Sequence, residues 1–114
     1  MRILHLTLRK KPFDLIAAGI KKEEYRGTKM YWYDRLMDYE LRERNSFTVI
    51  KHYYQYKKWD AVMFKNGYAA DAPSILVEFK GIDIGPAVPE WADGMKGEFF
   101  RIHLGEIIET NNIK

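Results

Sequence analysis

The sequence predicts an α+β fold: a small mixed or antiparallel β-barrel of five or six strands with two or three helices. Several segments alternate apolar and polar residues with the period of two that is typical of half-buried strands. Two segments in the first half instead repeat their apolar residues at helical spacing. Strands and helices do not alternate regularly along the chain, which disfavours a parallel, doubly wound sheet.

The chain opens with a strand, a short helix and a second strand. Ile3–Leu8 alternates strictly, with its leucines on one side. Pro12 suits the first turn of a helix, and Gly19 is a good residue to end one. The segment 23–26 follows this glycine and precedes the next glycine, so we expect a strand there.

The middle of the chain is predicted as a helix followed by a polar strand. Residues 31–44 carry apolar side chains at helical spacing, which predicts a second amphipathic helix. Residues 45–58 contain Phe47, Val49 and Tyr53 at odd positions, which favours a strand, although several lysines make the segment polar.

The last third predicts three strands. Residues 61–64 form a short apolar run that ends at a turn signal, and residues 75–84 alternate between two prolines. Residues 85–97 hold three glycines and two prolines, which indicates a loop. Residues 99–108 predict a closing strand, and residues 110–114 a frayed tail.

Composition predicts a single domain over residues 1–114 that folds without cofactors or disulfides. The chain has 114 residues, of which 46% are hydrophobic and 31% charged. Cysteine is absent, which excludes disulfides, thiolate metal sites and a cysteine nucleophile. No signal peptide and no run of about 20 apolar residues is visible. We therefore expect a cytoplasmic protein that does not enter a membrane.

Positive charge is concentrated in the first half. Residues 1–58 contain fourteen Lys and Arg against seven Asp and Glu, whereas residues 59–114 contain five against nine. A basic half is suited to a polyanionic partner, although charge asymmetry in sequence need not become asymmetry on the surface.

Several classes of site are disfavoured. No glycine-rich phosphate loop is present. His5, His52 and His103 lack the paired spacing of metal ligands, so we expect no metal site. Ser46 and Ser74 lie outside any nucleophile-elbow motif, which disfavours a serine hydrolase.

The most informative segment runs from residue 19 to residue 26. If it forms a strand, Lys22, Glu24 and Arg26 share one face, and Lys21 and Glu23 lie on the other. One of these faces is predicted to line a cleft. The alternative is a solvated edge strand whose opposite charges pair with each other for about 0 to 1 kcal/mol.

This segment resembles the ASCH domain family, whose hallmark is Gly-x-Lys-x-x-Glu-x-Arg after a short helix. Gly19, Lys21, Glu24 and Arg26 match every defined position, and the preceding segments 6–8 and 11–16 are similar as well. Residues 66–68 and 103–105 also resemble small bacterial and phage members. The resemblance implies a PUA-like barrel with a cleft beside this motif, and a role in RNA binding or RNA metabolism.

The resemblance implies RNA, or a nucleotide or nucleoside, as the ligand. Lys21 and Arg26 would then hold a phosphate or a polarised carbonyl, and Glu24 would either accept from a base amino group or orient one of the two cations. The other candidate ligand-binding residues are Lys11, Trp32, Tyr68 and Trp91. The two tryptophans are candidates for the wall of the cleft because each lies beside a predicted loop, although any one aromatic residue is more often part of a core.

Two enzymatic alternatives stay open. Some members of the family resemble amidohydrolases that act on an N4-acylated cytidine, with a lysine at the position of Lys21 and a threonine at the position of Glu24. If this chain is such an enzyme, Lys21 and Glu24 are the catalytic candidates. Because Glu24 replaces the threonine, binding without catalysis is the preferred interpretation. Other members resemble ribonucleases, which the sequence neither supports nor excludes.

Overall fold

A computed structural model describes residues 1–113. This part of the chain forms seven strands, two α-helices and one short 3-10 helix. In chain order they are β1 (Ile3–Leu8), α1 (Lys10–Ala17), β2 (Glu23–Gly27), α2 (Met30–Leu36), β3 (Met37–Asn45), β4 (Thr48–Tyr56), β5 (Ala61–Asn66), β6 (Ser74–Pro86), the 3-10 helix (Pro89–Trp91) and β7 (Glu98–Asn111).

Five of the strands form one curled, mixed sheet in the order β1-β5-β6-β7-β2. β1 pairs with β5 in parallel, and the other neighbours are antiparallel. β1 and β2 stand at opposite ends of this order, yet the Arg26 Nη2 on β2 donates a hydrogen bond to the Thr7 carbonyl on β1 at 3.1 Å. The sheet therefore curls until its two edges meet at one side. This confirms the predicted α+β class with a five-stranded mixed sheet of barrel-like curvature.

The concave side of the sheet holds the hydrophobic core. Both helices contribute to it, α1 through Phe13 and Ile16 and α2 through Leu36. Each fully buried side chain of this size contributes about 1.5 to 3 kcal/mol relative to an exposed one. The sheet residues of the core are Leu4, Leu6, Leu8, Val62, Phe64, Ile75, Val77, Phe100, Ile102 and Leu104. Their alternation along each strand is the period-two pattern of the sequence.

A glycine turn connects α1 to β2. Gly19 has a φ of 74°, a left-handed conformation that glycine adopts without a steric penalty. The Leu15 carbonyl accepts hydrogen bonds from the backbone N–H groups of Ile20 and Lys21, both at 3.0 Å. The predicted helix end at Gly19 is thereby confirmed, while the helix begins at Lys10 rather than at Pro12.

The predicted second helix is wrong beyond Leu36. Only Met30–Leu36 is helical, and Met37–Asn45 is a strand that pairs with β4 along its whole length. The predicted strand within residues 45–58 is confirmed as β4. The two strands form a separate hairpin, which accounts for an elongated molecule of 57 × 31 × 24 Å with a radius of gyration of 15.8 Å. A compact chain of this length would have about 13 Å.

The remaining strands were predicted within a few residues of their bounds. The segment 85–97 is largely a loop, as predicted, but it begins only after β6 ends at Pro86 and it contains the 3-10 helix. Thr110 and Asn111 belong to β7 and pair with β6, so this part of the predicted tail is not frayed, and Lys114 lies outside the described residues. No helix within residues 1–113 has the length and hydropathy needed to span a membrane.

Candidate functional site

Three charged side chains form a connected cluster beside β2. The Lys21 Nζ lies 2.9 Å from the Glu24 Oε1, and the Arg26 Nη2 lies 2.8 Å from the Glu24 Oε2. Lys21 is only 4% exposed and Glu24 only 5%. Both carboxylate oxygens of Glu24 therefore have cationic donors. Such partners are expected, because charged residues are almost never buried to this degree without them.

The turn after Gly19 determines which lysine joins the cluster. The sequence pattern placed Lys22 on the face of Glu24 and Arg26, with Lys21 opposite, and this facing is wrong. β2 begins only at Glu23, so the strand alternation does not extend to the two lysines. Lys21 is buried and reaches Glu24, whereas Lys22 is exposed. β2 is an edge strand, as the alternative interpretation held, but its central charges are not solvated.

Arg26 is held from several directions. Besides Glu24, its guanidinium contacts the Thr7 carbonyl, and its Cζ lies 4.9 Å from the ring centre of Trp32. The guanidinium of Arg35 contacts the same ring, with its Cζ at 5.4 Å. The Nε of Arg26 is buried and has no hydrogen-bond partner among residues 1–113. A buried donor of a charged group without a partner is costly, and the contacts of the same guanidinium with Glu24, Thr7 and Trp32 offset this cost.

These residues lie at a cleft of about 250 Å³ where β1, the start of α1, β2 and the 87–95 loop meet. The cleft is open to solvent and has walls of mixed polarity. Its lining consists of Thr7, Leu8, Arg9, Pro12, Lys21, Glu24, Tyr25, Arg26, Trp91, Asp93 and Met95.

The rim of the cleft is closed by ion pairs to Asp93. This residue has a φ of 50° in the loop after the 3-10 helix. Its carboxylate lies 2.6 Å from the Arg9 Nη2 and 3.6 Å from the Lys11 Nζ. Both basic side chains are largely exposed, so each pair contributes about 0 to 1 kcal/mol. Such weak pairs can exchange with an incoming anion.

Tyr25 forms an uncharged wall of the cleft. Its hydroxyl donates to the Glu23 Oε1 at 2.7 Å and accepts from the Val88 N–H at 3.0 Å. Burial, with a further contribution from Glu23, raises the pKa of Tyr25 well above its ordinary value. The Lys21 Nζ lies 5.5 Å from the centre of the Tyr25 ring, within the range of a cation–π contact.

Seven ligand-binding residues were predicted, and the structure brings only some of them together. Lys21, Glu24, Arg26 and Trp91 line the cleft. Lys11 does not line it but reaches its rim through Asp93.

The other two predicted residues lie elsewhere. Trp32 is not among the residues that line the cleft, and it packs behind Arg26 instead. Tyr68 is 92% exposed and lies beside a separate cavity of about 530 Å³ near Phe13 and Ile113.

The other seven lining residues were not predicted: Thr7, Leu8, Arg9, Pro12, Tyr25, Asp93 and Met95. Tyr25 lies inside the motif, and strand alternation points it away from Glu24, so the pattern gave no reason to select it. Arg9 directly follows β1, and the position of the strand end was the available signal. Asp93 and Met95 belong to the glycine-rich loop, whose path over the cleft depends on tertiary contacts.

A second polar network covers the opposite face of β2. Arg101 donates to both oxygens of Asp83, from Nε and Nη2, at 2.7 Å each. The Nε2 of His103 lies 3.0 Å from Asp83, and its Nδ1 lies 3.5 Å from Glu23. The hydrogen bonds from Arg101 lower the pKa of Asp83 to about 2, although burial opposes the shift. This network joins β2, β6 and β7, and it reaches the wall of the cleft through Glu23, which accepts the hydrogen bond from the Tyr25 hydroxyl.

The part of the chain that the structure describes contains no group of three or more His, Asp or Glu residues arranged to hold a metal ion. Comparison of the chain with protein-family models, with curated proteins and with solved structures finds no match. The function is therefore inferred from the chemistry of the cleft and from the motif that lies in it.

Proposed function

We propose that this protein is a PUA-like domain of the ASCH type that binds RNA or a nucleotide in the cleft beside Lys21, Glu24 and Arg26. The proposal is supported by the spatial arrangement of the motif. Three of its four defined residues line one cleft, and the fourth, Gly19, makes the turn that delivers Lys21 to it. The observation that carries the proposal is the charge of the cluster.

The cluster contains two cations and one carboxylate, which leaves one positive charge uncompensated. Lys21 and Glu24 are almost fully buried, and the Arg26 side chain is only 18% exposed. Uncompensated charge in such a setting is unfavourable, so an anionic ligand gains more from it than from a solvated surface.

The rest of the cleft is suited to a base or to a sugar attached to that phosphate. Trp91 is partly exposed and offers aromatic surface, and base stacking on such a residue is worth about 1 to 3 kcal/mol. The volume of about 250 Å³ is slightly below the roughly 300 to 1,000 Å³ of pockets that enclose drug-sized ligands. The cleft is therefore suited to one nucleotide unit, either free or at an accessible position of a single strand.

Binding without catalysis is favoured over hydrolysis because Glu24 is buried and held between two cations. Each of its oxygens already accepts a charge-assisted hydrogen bond, and a carboxylate in this position is better suited to hold Lys21 and Arg26 than to take a proton from water. One observation keeps an amidohydrolase as the second candidate. The Lys21 Nζ and Glu24 Oε1 are 2.9 Å apart at the wall of a cleft, where the lysine could stabilise an oxyanion if Glu24 shifted.

A pair of neighbouring lysines makes the test of this proposal specific. Lys21→Met removes the buried charge of the cleft, and Lys22→Met removes an exposed charge one residue away. Binding of nucleoside 5′-monophosphates, the corresponding nucleosides and short single-stranded RNA is measured by calorimetry at low and high salt. We expect Lys21→Met to weaken phosphate-containing ligands about tenfold or more, Lys22→Met to change their affinity less than about threefold, and added salt to weaken binding.

Equal losses from both lysine variants would indicate nonspecific attraction to a basic surface and contradict the proposal. Absence of binding by the wild type to every ligand would contradict it as well. The same samples, incubated with N4-acetylcytidine and analysed by mass spectrometry, test the alternatives. Cytidine formed by the wild type but not by Glu24→Gln, at a temperature where circular dichroism shows the variant to be folded, would establish the amidohydrolase, and shortened RNA would establish a ribonuclease.

A further inference from the structure

The β3–β4 hairpin exposes an unpaired strand edge to solvent. β3 pairs with β4 on one side, and within residues 1–113 no strand pairs with its other side. Every residue from Tyr39 to Asn45 is exposed. An isolated two-stranded hairpin is marginally stable in water, and an open edge of this length is a template for pairing with another strand.

The charges along this edge have an unusual order. Asp38 and Glu40 precede Leu41, and Arg42 and Arg44 follow it at the same distances. Reversing the strand about Leu41 therefore places Asp38 and Glu40 where Arg44 and Arg42 stood, while Glu43 takes the position of Tyr39. Edges that avoid pairing typically carry charges of one sign, above all lysine, so that a second copy is repelled. The order in β3 has the opposite effect.

We propose that two copies of this protein associate through their β3 edges, as antiparallel strands related by a twofold axis at Leu41. In this register Glu40 lies opposite Arg42 of the second copy, and Asp38 lies opposite Arg44 of the second copy. Symmetry repeats each pair, which gives four cross-strand pairs of opposite charge. The two hairpins become one four-stranded antiparallel sheet, β4-β3-β3-β4.

The contacts within one chain are compatible with this register. Glu40 and Arg42 lie on the same face of β3, and the Arg42 Nη2 is already 2.5 Å from the Glu40 Oε1. When two β3 strands pair, Glu40 and Arg42 each gain a second partner from the other copy, and neither side chain has to turn to the other face of the strand. The pairing of β3 with β4 is irregular between Asp38 and Tyr39 and again between Glu43 and Asn45, so the inner pairs formed by Glu40 and Arg42 carry most of the specificity.

The apolar surface and the net charge of the β3–β4 hairpin also favour a second copy of the chain over a nucleic acid as its partner. Leu41 is 67% exposed, and Val49, which lies on the same face of the hairpin, is 58% exposed. Leu41 would pack against its symmetry mate at the centre of the new sheet. Residues 37–56 contain three Lys and Arg and three Asp and Glu, so the hairpin has no net charge to attract a polyanion.

The test uses charge reversals that can be exchanged between chains. In a pair of Glu40→Arg chains, Arg42 of each copy faces the new guanidinium group of the other copy. In a pair of Arg42→Glu chains, Glu40 of each copy faces the new carboxylate of the other copy. Sedimentation of the wild type from about 1 μM to 1 mM should show the mass rising above the 13.6 kDa of one chain. We expect each single variant to self-associate at least about tenfold more weakly.

An equimolar mixture of Glu40→Arg and Arg42→Glu chains should associate again, since each chain then faces a partner of opposite charge. The ion pair within each variant chain stays broken in this mixture, so recovery reports only contacts between chains. Glu109→Arg, an exposed charge reversal on β7, is the control and should self-associate like the wild type. Circular dichroism checks that every variant is folded.

Three results would overturn the proposal. They are a wild type that stays monomeric up to 1 mM, single variants that associate as strongly as the wild type, and a mixture that fails to recover. An increase in mass that occurs only when single-stranded RNA is added would show that the hairpin binds nucleic acid instead. The inference is independent of the cleft, because Lys21→Met leaves β3 unchanged and should leave self-association unchanged.

Discussion

Glu24→Gln removes the one anion from the buried charge cluster and is the sharpest perturbation of this fold. Glu24 is 5% exposed and lies between the ammonium of Lys21 and the guanidinium of Arg26. Breaking a buried ion pair by removing one partner costs about 3 to 5 kcal/mol, because the other charge is left uncompensated. The amide oxygen of Gln can still accept one hydrogen bond, and Arg26 is partly exposed. We therefore expect a loss near the low end, about 3 kcal/mol.

Denaturant unfolding followed by tryptophan fluorescence measures this loss directly. For a chain of this length, a loss of about 3 kcal/mol corresponds to a decrease of roughly 12 °C in Tm. Glu106→Gln, at an exposed position of β7, is the matched control and should change the free energy of unfolding by less than about 0.5 kcal/mol. Lys21→Met combined with Glu24→Gln should cost less than the sum of the two single changes, since the double variant buries one charge fewer than Glu24→Gln.

Addition of sulfate gives a second readout of the same variant. An anion that enters the cleft should raise the Tm of Glu24→Gln more than that of the wild type, because the variant has two unpaired cations there. A loss below about 1 kcal/mol, together with additive single and double variants, would refute this description of the cluster. It would mean that the three charges are solvated well enough to act independently.

Three further predictions concern the rest of the fold. The folded-state pKa of Asp83 is about 2, against an ordinary value of 3.8, so its pair with Arg101 stabilises the fold above pH 4 and this contribution is lost as the pH falls towards 2. Because the carboxylate is 45% exposed, about 1 kcal/mol is expected, and denaturant unfolding at pH 5 and pH 2 should show this difference between the wild type and Asp83→Asn. Gly85→Ala should cost a similar amount, since its Cβ would lie 2.6 Å from the Arg101 Cζ and displace the guanidinium, and unfolding should show the loss mostly absent in an Asp83→Asn background. Tyr53→Phe removes the hydrogen bond to Asp34 at the base of the hairpin, so amide hydrogen exchange should accelerate in β3 and β4 while β5 and β6 are unchanged.

The main sheet could be predicted because its strands carry their own signal. Ile3–Leu8, for example, alternates in sequence and is alternately buried in the fold, with Leu4, Leu6 and Leu8 in the core. The end of α1 could be predicted from Gly19 for an equally local reason, since a left-handed residue is needed there. In both places, local preference and tertiary environment agree.

The helix predicted over residues 31–44 is wrong beyond Leu36, where local preference and tertiary environment disagree. Glu40, Leu41 and Arg42 are good helix formers, and nothing in their neighbourhood forbids a helix. They form a strand because β4 pairs with them, as in the contact of the Tyr39 and Tyr53 rings at 5.5 Å across the hairpin. Strand preference depends on such partners far more than helix preference does, so a sequence window cannot detect it.

The sequence by itself determined the α+β class and most strands of the curled sheet, and its motif singled out Lys21, Glu24 and Arg26. The tertiary structure decided which lysine faces the carboxylate, that Trp32 contacts Arg26 from outside the cleft, and that Tyr68 lies beside another cavity. The physical reason is the range of the interactions involved. Alternation and glycine conformation act over a few residues, whereas a cleft is assembled from β1, α1, β2 and the 87–95 loop, whose relative positions follow from packing of the whole core.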